Sequence, residues 1–178
     1  MIVQIMPLYT PQLIICPFED RHLNTCYVQW LNDKDVVKYS EQRHKHHTVD
    51  SCTSYWTQLK KSDALFWAIE SRDLELGHIG NISVHFDYSN AVADLGILVG
   101  EKKVWGSGYG QEAFGAACNF LLSNQIIRKV TSGTVASNYG MRGVMRRVGM
   151  KDDGFRKRQY LLDGKEEDAV YAVLYRAE

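Results

Sequence analysis

Net charge is the first thing this chain lacks: 21 Lys plus Arg stand against 21 Asp plus Glu. A protein that holds nucleic acid by bulk electrostatics needs a basic excess, so nucleic acid is not an expected partner. Long apolar runs are missing too. No stretch approaches the roughly 20 apolar residues that cross a bilayer, so no membrane partner is expected. The opening, Met1 to Cys16, is partly apolar, but Pro7 and Pro11 interrupt it, and it has neither a basic start nor a clear cleavage site. It does not read as a signal peptide. The four cysteines, Cys16, Cys26, Cys52 and Cys118, lie far apart and form no C-x-x-C pair. They read as free, mostly buried thiols of a cytoplasmic protein. No repeat, low-complexity tract or linker divides the chain, which is read as one domain over residues 1–178 with a substantial core.

What is present alternates between two periods. Leu13 to Phe18 is a short apolar strand. From Asp20 to Leu31, Leu23, Tyr27, Trp30 and Leu31 recur at helical spacing, and Asp33 opens a further short helix through Val36 and Val37. Thr48 is a fitting N-cap for a helix carrying Tyr55, Trp56 and Leu59. Leu65–Glu70, Leu76–Phe86 and Ala91–Val99 read as an antiparallel meander of strands. A helix over Gly108–Asn124, a strand over Arg128–Ala136 and a helix over Gly140–Val148 follow. Gly154–Leu162 and Asp168–Tyr175 close the chain as a hairpin turned by Asp163-Gly164. This order predicts an α/β fold: a mixed central sheet of about seven strands with helices on both faces. The unit from Ala91–Val99 through the helix to Arg128–Ala136 is expected to be a right-handed crossover between parallel strands.

Between that strand and its helix runs Val104-Trp105-Gly106-Ser107-Gly108-Tyr109-Gly110-Gln111-Glu112-Ala113. Glycines let backbone approach an anion, and the first amides of a helix have no internal partners, so this is a phosphate cradle. A Walker loop needs Lys-Ser or Lys-Thr after the glycines, and none follows. A dinucleotide fold needs G-x-G-x-x-G and an acidic residue about 20 positions on; here the spacing is G-x-G-x-G and the segment Ile126–Val130 is basic. The third option is a pyrophosphate whose attached group runs along the preceding strand. Gly96 inside that strand favours it, because a strand glycine marks a bulge or a close backbone approach. An extended ligand bearing amides, such as pantetheine, can then pair with Ile97, Leu98 and Val99 as an added strand. Loop and strand together point to coenzyme A; a tight turn of packing value alone is the competing reading.

Ala93-Asp94-Leu95-Gly96-Ile97-Leu98-Val99-Gly100-Glu101 followed by Trp105-Gly106-Ser107-Gly108-Tyr109-Gly110 resembles motif A of the GNAT superfamily of N-acetyltransferases, with Trp105 where that motif usually has Gln or Arg. Ala136-Ser137-Asn138, the helix after it, and Val148-Gly149-Met150 resemble the signature of its Rim-type branch, named for ribosomal-protein N-terminal acetyltransferases. Trp30-Leu31-Asn32-Asp33 is similar to that branch's first-helix ending. The resemblance implies acetyl-CoA as cosubstrate, no metal, and transfer to a primary amine through a ternary complex. The acceptor is either a protein N-terminus or a small amine such as an aminosugar, and the protein is expected to be a monomer or homodimer. Met141 and Met145 stand where the family usually carries a Ser and a Tyr that protonate the leaving thiol. A non-catalytic acyl-CoA-binding module is therefore the alternative.

Candidate residues follow from both lines. Asp94 is the expected general base, at a position where the family often has an acid; a solvated strand-end acid is its plainer role. Asn138 is expected to order the pantetheine arm or a water, or to cap the next helix, or both. The donor site is expected to use Ile97, Leu98 and Val99, the loop Trp105, Gly106, Ser107, Gly108, Tyr109 and Gly110, then Asn138, and Arg142 on the coenzyme phosphates. Tyr39, Glu41, Arg43, His78 and Asn81 are expected at the acceptor. The basic run Arg43-His44-Lys45-His46-His47 offers two His on one helical face, yet has no evident Cys or carboxylate partner for a metal. It leans toward an anionic small acceptor. Cys118 is read as core, not nucleophile.

Overall fold

The computed structural model describes residues 3–176; both ends of the expected single-domain span, residues 1–2 and 177–178, lie outside it. The strands are β1 (Leu8–Tyr9), β2 (Leu13–Pro17), β3 (Leu65–Ser71), β4 (His78–Asp87), β5 (Val92–Val99), β6 (Lys129–Val135), β7 (Lys151–Leu162) and β8 (Lys165–Tyr175). They form one eight-stranded sheet in the order β1-β2-β3-β4-β5-β6-β8-β7. Only β5 and β6 are parallel neighbours; every other adjacent pair is antiparallel. The helices are α1 (Thr25–Asn32), α2 (Val49–Leu59), α3 (Tyr109–Ser123) and α4 (Tyr139–Arg147).

Strand alternation sorts the helices onto two faces. On β3, Leu65, Trp67 and Ile69 point into one core with Phe114, Ala117 and Leu121 of α3 and Met145 of α4. Phe66 and Ala68 point into the other, with Tyr27, Trp30 and Leu31 of α1 and Cys52 and Leu59 of α2. The expected mixed sheet with helices on both faces is what forms, with eight strands instead of about seven. The extra strand is β1, two residues that pair Leu8 with Ile15 and Tyr9 with Ile14. A two-residue strand is too short to show a period.

Other differences have local causes. The expected helix over Asp20–Leu31 is broken. Asp20–His22 is a 3-10 turn, closed by a reciprocal Glu19–His22 cap. Asn24 then starts α1 afresh, its side chain accepting from the Tyr27 amide at 3.0 Å. Asp33 to Val37 makes turns and no helix, because the Asp33 side chain accepts from the Asp35 amide at 2.9 Å and bends the chain locally. The last hairpin turns at Asp163-Gly164 as expected, but β7 begins at Lys151 and β8 at Lys165. Bulges carry β7 through Gly154 and Arg158, both at positive φ.

The crossover from β5 through α3 to β6 has one irregularity. Pairing runs through Val92–Lys129, Ala93–Val130 and Asp94–Thr131 and then stops. Yet β5 stays paired with β4 as far as Val99, and β6 with β8 as far as Val135. The two strands part while each keeps its outer neighbour.

Where β5 ends, Gly100 lies against the buried Trp30 of α1. A Cβ there would overlap the Trp30 ring at Cδ2 and Cγ, and the Gly100 amide is held to the Ile79 carbonyl at 2.9 Å. Gly100→Ala is expected to cost about 2 kcal/mol or more through overpacking. Urea denaturation of the variant beside the wild type measures this, and an unchanged midpoint contradicts it.

Candidate active site

The site is built where β5 and β6 separate. The Ser132 hydroxyl donates to the Leu95 carbonyl at 2.8 Å and closes the apex of the split. Beyond it, from Gly96 to Val99, β5 has no β6 partner on that edge. Backbone amides and carbonyls in such a position require other partners, which an extended ligand with amides can supply.

The glycine loop follows. A 3-10 turn over Lys102–Val104 leads into Gly106 (φ 79°) and Gly108 (φ 89°), which takes the N-cap position of α3. Left-handed backbone at both positions requires glycine, and a Cβ at either would meet only open space. The loop is therefore conformationally constrained while its outer side stays accessible. Gly108 brings no side-chain cap, so the first amides of the 15-residue α3 face outward without one. The acidic residue of that first turn, Glu112, accepts from the amide and side chain of Gln12 at 2.8 and 2.7 Å. Trp105, 44% exposed, donates its indole N–H to the Val99 carbonyl at 2.9 Å, tying the loop to the end of β5. Gly110 packs so close that a Cβ would stand 3.3 Å from Val99 Cγ2.

Across the split stands α4. Asn138 is its N-cap: Oδ1 accepts from the Met141 amide at 3.1 Å and Nδ2 donates to Thr134 Oγ1 at 3.0 Å. Arg142 donates to the Ala136 carbonyl at 2.9 Å and lies over the Tyr139 ring. The Met145 side chain is in the core and Met141 packs against it. Burial also holds Cys118 in the core and pushes its thiol pKa up to about 12, which disables it as a nucleophile.

On the α1–α2 face, Gly96, Ile97 and Leu98 form one wall of a cavity of about 400 Å³. Asn81 and Ser83 of β4 and Phe66 of β3 continue that wall. Ser40, Gln42, Lys45, His46 and His47 stand on the loop side, with Ser51, Cys52 and Tyr55 from α2. The parted end of β5 thus opens directly into a cavity.

Of the residues expected at the acceptor, Asn81 lines this cavity. His78 lies behind it, half-buried against Trp30 and His22 at ring-centroid distances of 5.0 and 4.9 Å. Its Nε2 faces the Gly80 carbonyl at 3.0 Å and Asn81 Oδ1 at 2.9 Å. Arg43 donates to the Ser40 carbonyl, the Glu41 carboxylate and the Leu161 carbonyl at 2.8, 2.8 and 3.3 Å, bracing the loop against the β7–β8 hairpin. Glu41, engaged by Arg43, and Tyr39 are outside the lining. Asp94 shares the face of Gly96 and Leu98 by alternation, is exposed, and accepts from the Thr131 hydroxyl at 2.6 Å; it too is outside the cavity wall. Sequence reasoning did not single out Tyr55, Phe66 and Ser83. They read as ordinary helix and strand residues, and only the approach of α2 to the sheet brings them together. Elsewhere, Cys16, His22 and Glu70 come within 4.8 Å of one another. His22 is already spent there: Nδ1 accepts from the Glu19 amide at 2.8 Å and Nε2 faces Glu70 at 2.9 Å.

A parted pair of parallel strands, a glycine loop capping the helix between them and an adjoining cavity define an acyl-CoA-dependent transferase. Residues 12–151 match the family model described as acetyltransferase (GNAT) domain, and the chain belongs to that family of acetyltransferases. No curated protein matches the sequence significantly. Among solved structures, a GNAT-family acetyltransferase from Bacillus anthracis superposes with a TM-score of 0.82 at 18% identity, covering 97% of this chain and 100% of that one. Spermidine N-acetyltransferase from Vibrio cholerae, in complex with CoA and spermine, gives 0.82 at 13% identity over 94% and 97%. A ribosomal L7/L12 alpha-N-protein acetyltransferase in complex with coenzyme A gives 0.83 at 14% identity over 97% and 98%. Identities this low show the shared fold, and relatives with different acceptors fit about equally well.

Burial drops the His78 pKa from 6.5 to about 4, so it stays neutral where an unfolded histidine would be charged. Because the unfolded chain binds the extra proton, the contribution is complete above pH 6.5 and is lost as pH falls toward 4. Between pH 7 and pH 5 the loss is expected to be about 2 kcal/mol. Urea denaturation at the two pH values, for wild type and His78→Gln, reads it: the variant is expected to lose correspondingly less. Equal losses in both proteins contradict the assignment, with nearby His22 and Glu70 unchanged in each.

Proposed function

We propose that the protein transfers the acetyl group of acetyl-CoA to the primary amine of a small molecule, by direct attack in a ternary complex. The observation that carries this is the split between β5 and β6, which opens at Gly96–Leu98 into the acceptor cavity. Pantetheine lies along the freed edge of β5, making use of Ile97, Leu98 and the amide of Val99. The pyrophosphate sits on the amides of Gly106 to Gly110. Arg142, with its neighbours on α4, faces the phosphates. The place in the Rim-type branch rests on the Trp105–Gly110 run and Ala136-Ser137-Asn138, and belongs to this proposal.

The reaction needs few groups. The neutral amine nitrogen attacks the thioester carbon, the C–S bond breaks, an amide forms, and the amine proton leaves as the thiolate gains one. Amides of the parted strand polarise the carbonyl and stabilise its oxyanion. Asp94, two strand residues from Gly96 and so roughly 7 Å away, takes the proton through water. Asn138 holds the start of α4 beside the pantetheine. A thiol is a weak acid, about 8.5 for a cysteine side chain, so a thiolate leaves readily and the methionines at positions 141 and 145 do not prevent turnover. No metal takes part. A cavity of about 400 Å³ has the size of a small-molecule site. Its loop, braced by Arg43 against the hairpin, favours a small amine over a protein N-terminus. The second reading, a non-catalytic acyl-CoA-binding module, is favoured by those same methionines.

Free-thiol release with a panel of primary amines tests the activity. Turnover of at least one small amine is expected; tight acetyl-CoA binding with no turnover favours the module, and turnover of peptides alone removes the small-amine reading. The donor loop has its own test. Gly108→Ala meets no steric contact, so its effect is left-handed strain alone, worth about 1–2 kcal/mol. The free loop relaxes out of the strained conformation and must regain it to bind, so acetyl-CoA affinity by calorimetry is expected to fall roughly five- to thirtyfold. An unchanged affinity takes the loop out of the donor site.

A further inference from the structure

Resting on the acetyltransferase reading above, we propose that the acceptor carries, besides its amine, an anionic group of the carboxylate or phosphate type, held by Lys45, His46 and His47. Among the described residues no Asp or Glu lines the acceptor cavity, whereas these three basic side chains do. The carboxylate nearest on the same loop, Glu41, is paired with Arg43 at 2.8 Å. A polyammonium acceptor would enter this cavity with nothing to neutralise it.

The floor gives a second, independent observation. Asn81 is 3% exposed. The Gly80 carbonyl, 3.0 Å from His78 Nε2, can only accept, so that nitrogen carries the proton and also donates to Asn81 Oδ1. This fixes the Asn81 amide with its oxygen toward His78. Asn81 Nδ2 is buried and has no partner among the described residues. A buried donor left unpaired is costly, and a ligand oxygen relieves it. One lysine and two imidazoles at the loop, with an N–H at the floor, offer hydrogen-bond donors and a positive charge to the same kind of ligand: one rich in oxygen and negative charge.

The cationic loop is also held in place. The His47 amide donates to Asn32 Oδ1 at 2.9 Å, and its carbonyl accepts from Asn32 Nδ2 at 2.8 Å. Both bonds tie the loop backbone at His47 to the end of α1, so this basic segment is anchored before a ligand arrives. The amine, at the other end of the molecule, then meets Gly96–Leu98.

The test uses the full chain with saturating acetyl-CoA and matched amines: an amino acid against its amide, an aminosugar phosphate against the free aminosugar, and spermidine. The anionic member of at least one pair is expected to exceed its neutral partner roughly tenfold in kcat/KM, and the pair that responds tells carboxylate from phosphate. Lys45→Glu is expected to raise KM for that member roughly two- to fivefold, the scale of an exposed charge pair, and Lys45→Arg to retain it. Acetyl-CoA affinity serves as the folding control. Equal or faster turnover of the neutral amines or spermidine overturns the proposal. If acetyl-CoA binds and no amine reacts, calorimetry of the same amines on the coenzyme complex decides, and no preference for the anionic members overturns it. If acetyl-CoA does not bind, the acetyltransferase reading fails. Inorganic phosphate and acetate titrated into wild type and Lys45→Glu then decide the anion site alone: binding weakened by the substitution supports it, and equal or absent binding overturns it.

Discussion

Strands β5 and β6 share three residue pairs and then part, although β4 and β8 hold their outer edges to the end. The rest of the site depends on this parting. A backbone edge inside a sheet must be paired, so two strands that separate leave polar groups aimed at whatever enters between them. Ser132 satisfies the first freed carbonyl, that of Leu95, and marks where protein pairing ends. Past that point the fold offers a strand-shaped space with the glycine loop at one end and the acceptor cavity beside it.

The two hydrophobic cores keep the split in shape. One core packs α3 and α4 on the far face of the sheet, and the other packs α1 and α2 on the near face. Because α3 is seated through Phe114, Ala117 and Leu121, its outward N-terminus cannot drift from β5. Trp105 and Gly110 add a hydrogen bond and a close packing contact to Val99. On the opposite face Gly100 lets Trp30 lie against the end of the same strand. Donor loop and acceptor wall are thus both referenced to the last residues of β5.

The chemistry inferred for this site is economical in side chains. Thioester aminolysis needs a neutral amine, a polarised carbonyl and a proton sink, and backbone can supply the second. Met145 is buried in the core and Met141 packs against it, so under the proposed reaction neither side chain is asked to move a proton. The histidine drawn from sequence toward the acceptor, His78, is instead a half-buried support outside the cavity lining. Its ring orients Asn81, the side chain that reaches the cavity wall.

How much of this was legible in the sequence depends on the range of each signal. Period-two runs, the Gly106–Gly110 spacing and Thr48 as N-cap are local, because backbone conformation and one-face burial act within a few residues. They were enough for a mixed sheet with helices on both faces, the β5-loop-α3 order and a coenzyme A donor. Local competition hid other features: Asn24 restarts a helix that apolar spacing ran through, and β1 is two residues long. The acceptor cavity was not legible at all as a whole, since it joins His47, Tyr55, Phe66, Asn81 and Leu98 from four separate elements and a loop. So the sequence by itself determined the glycine loop and the strand before it, because glycine geometry is a property of single residues. Only the tertiary structure decided where β5 and β6 part and what lines the space beside them, because pairing and cavities arise from packing between distant segments.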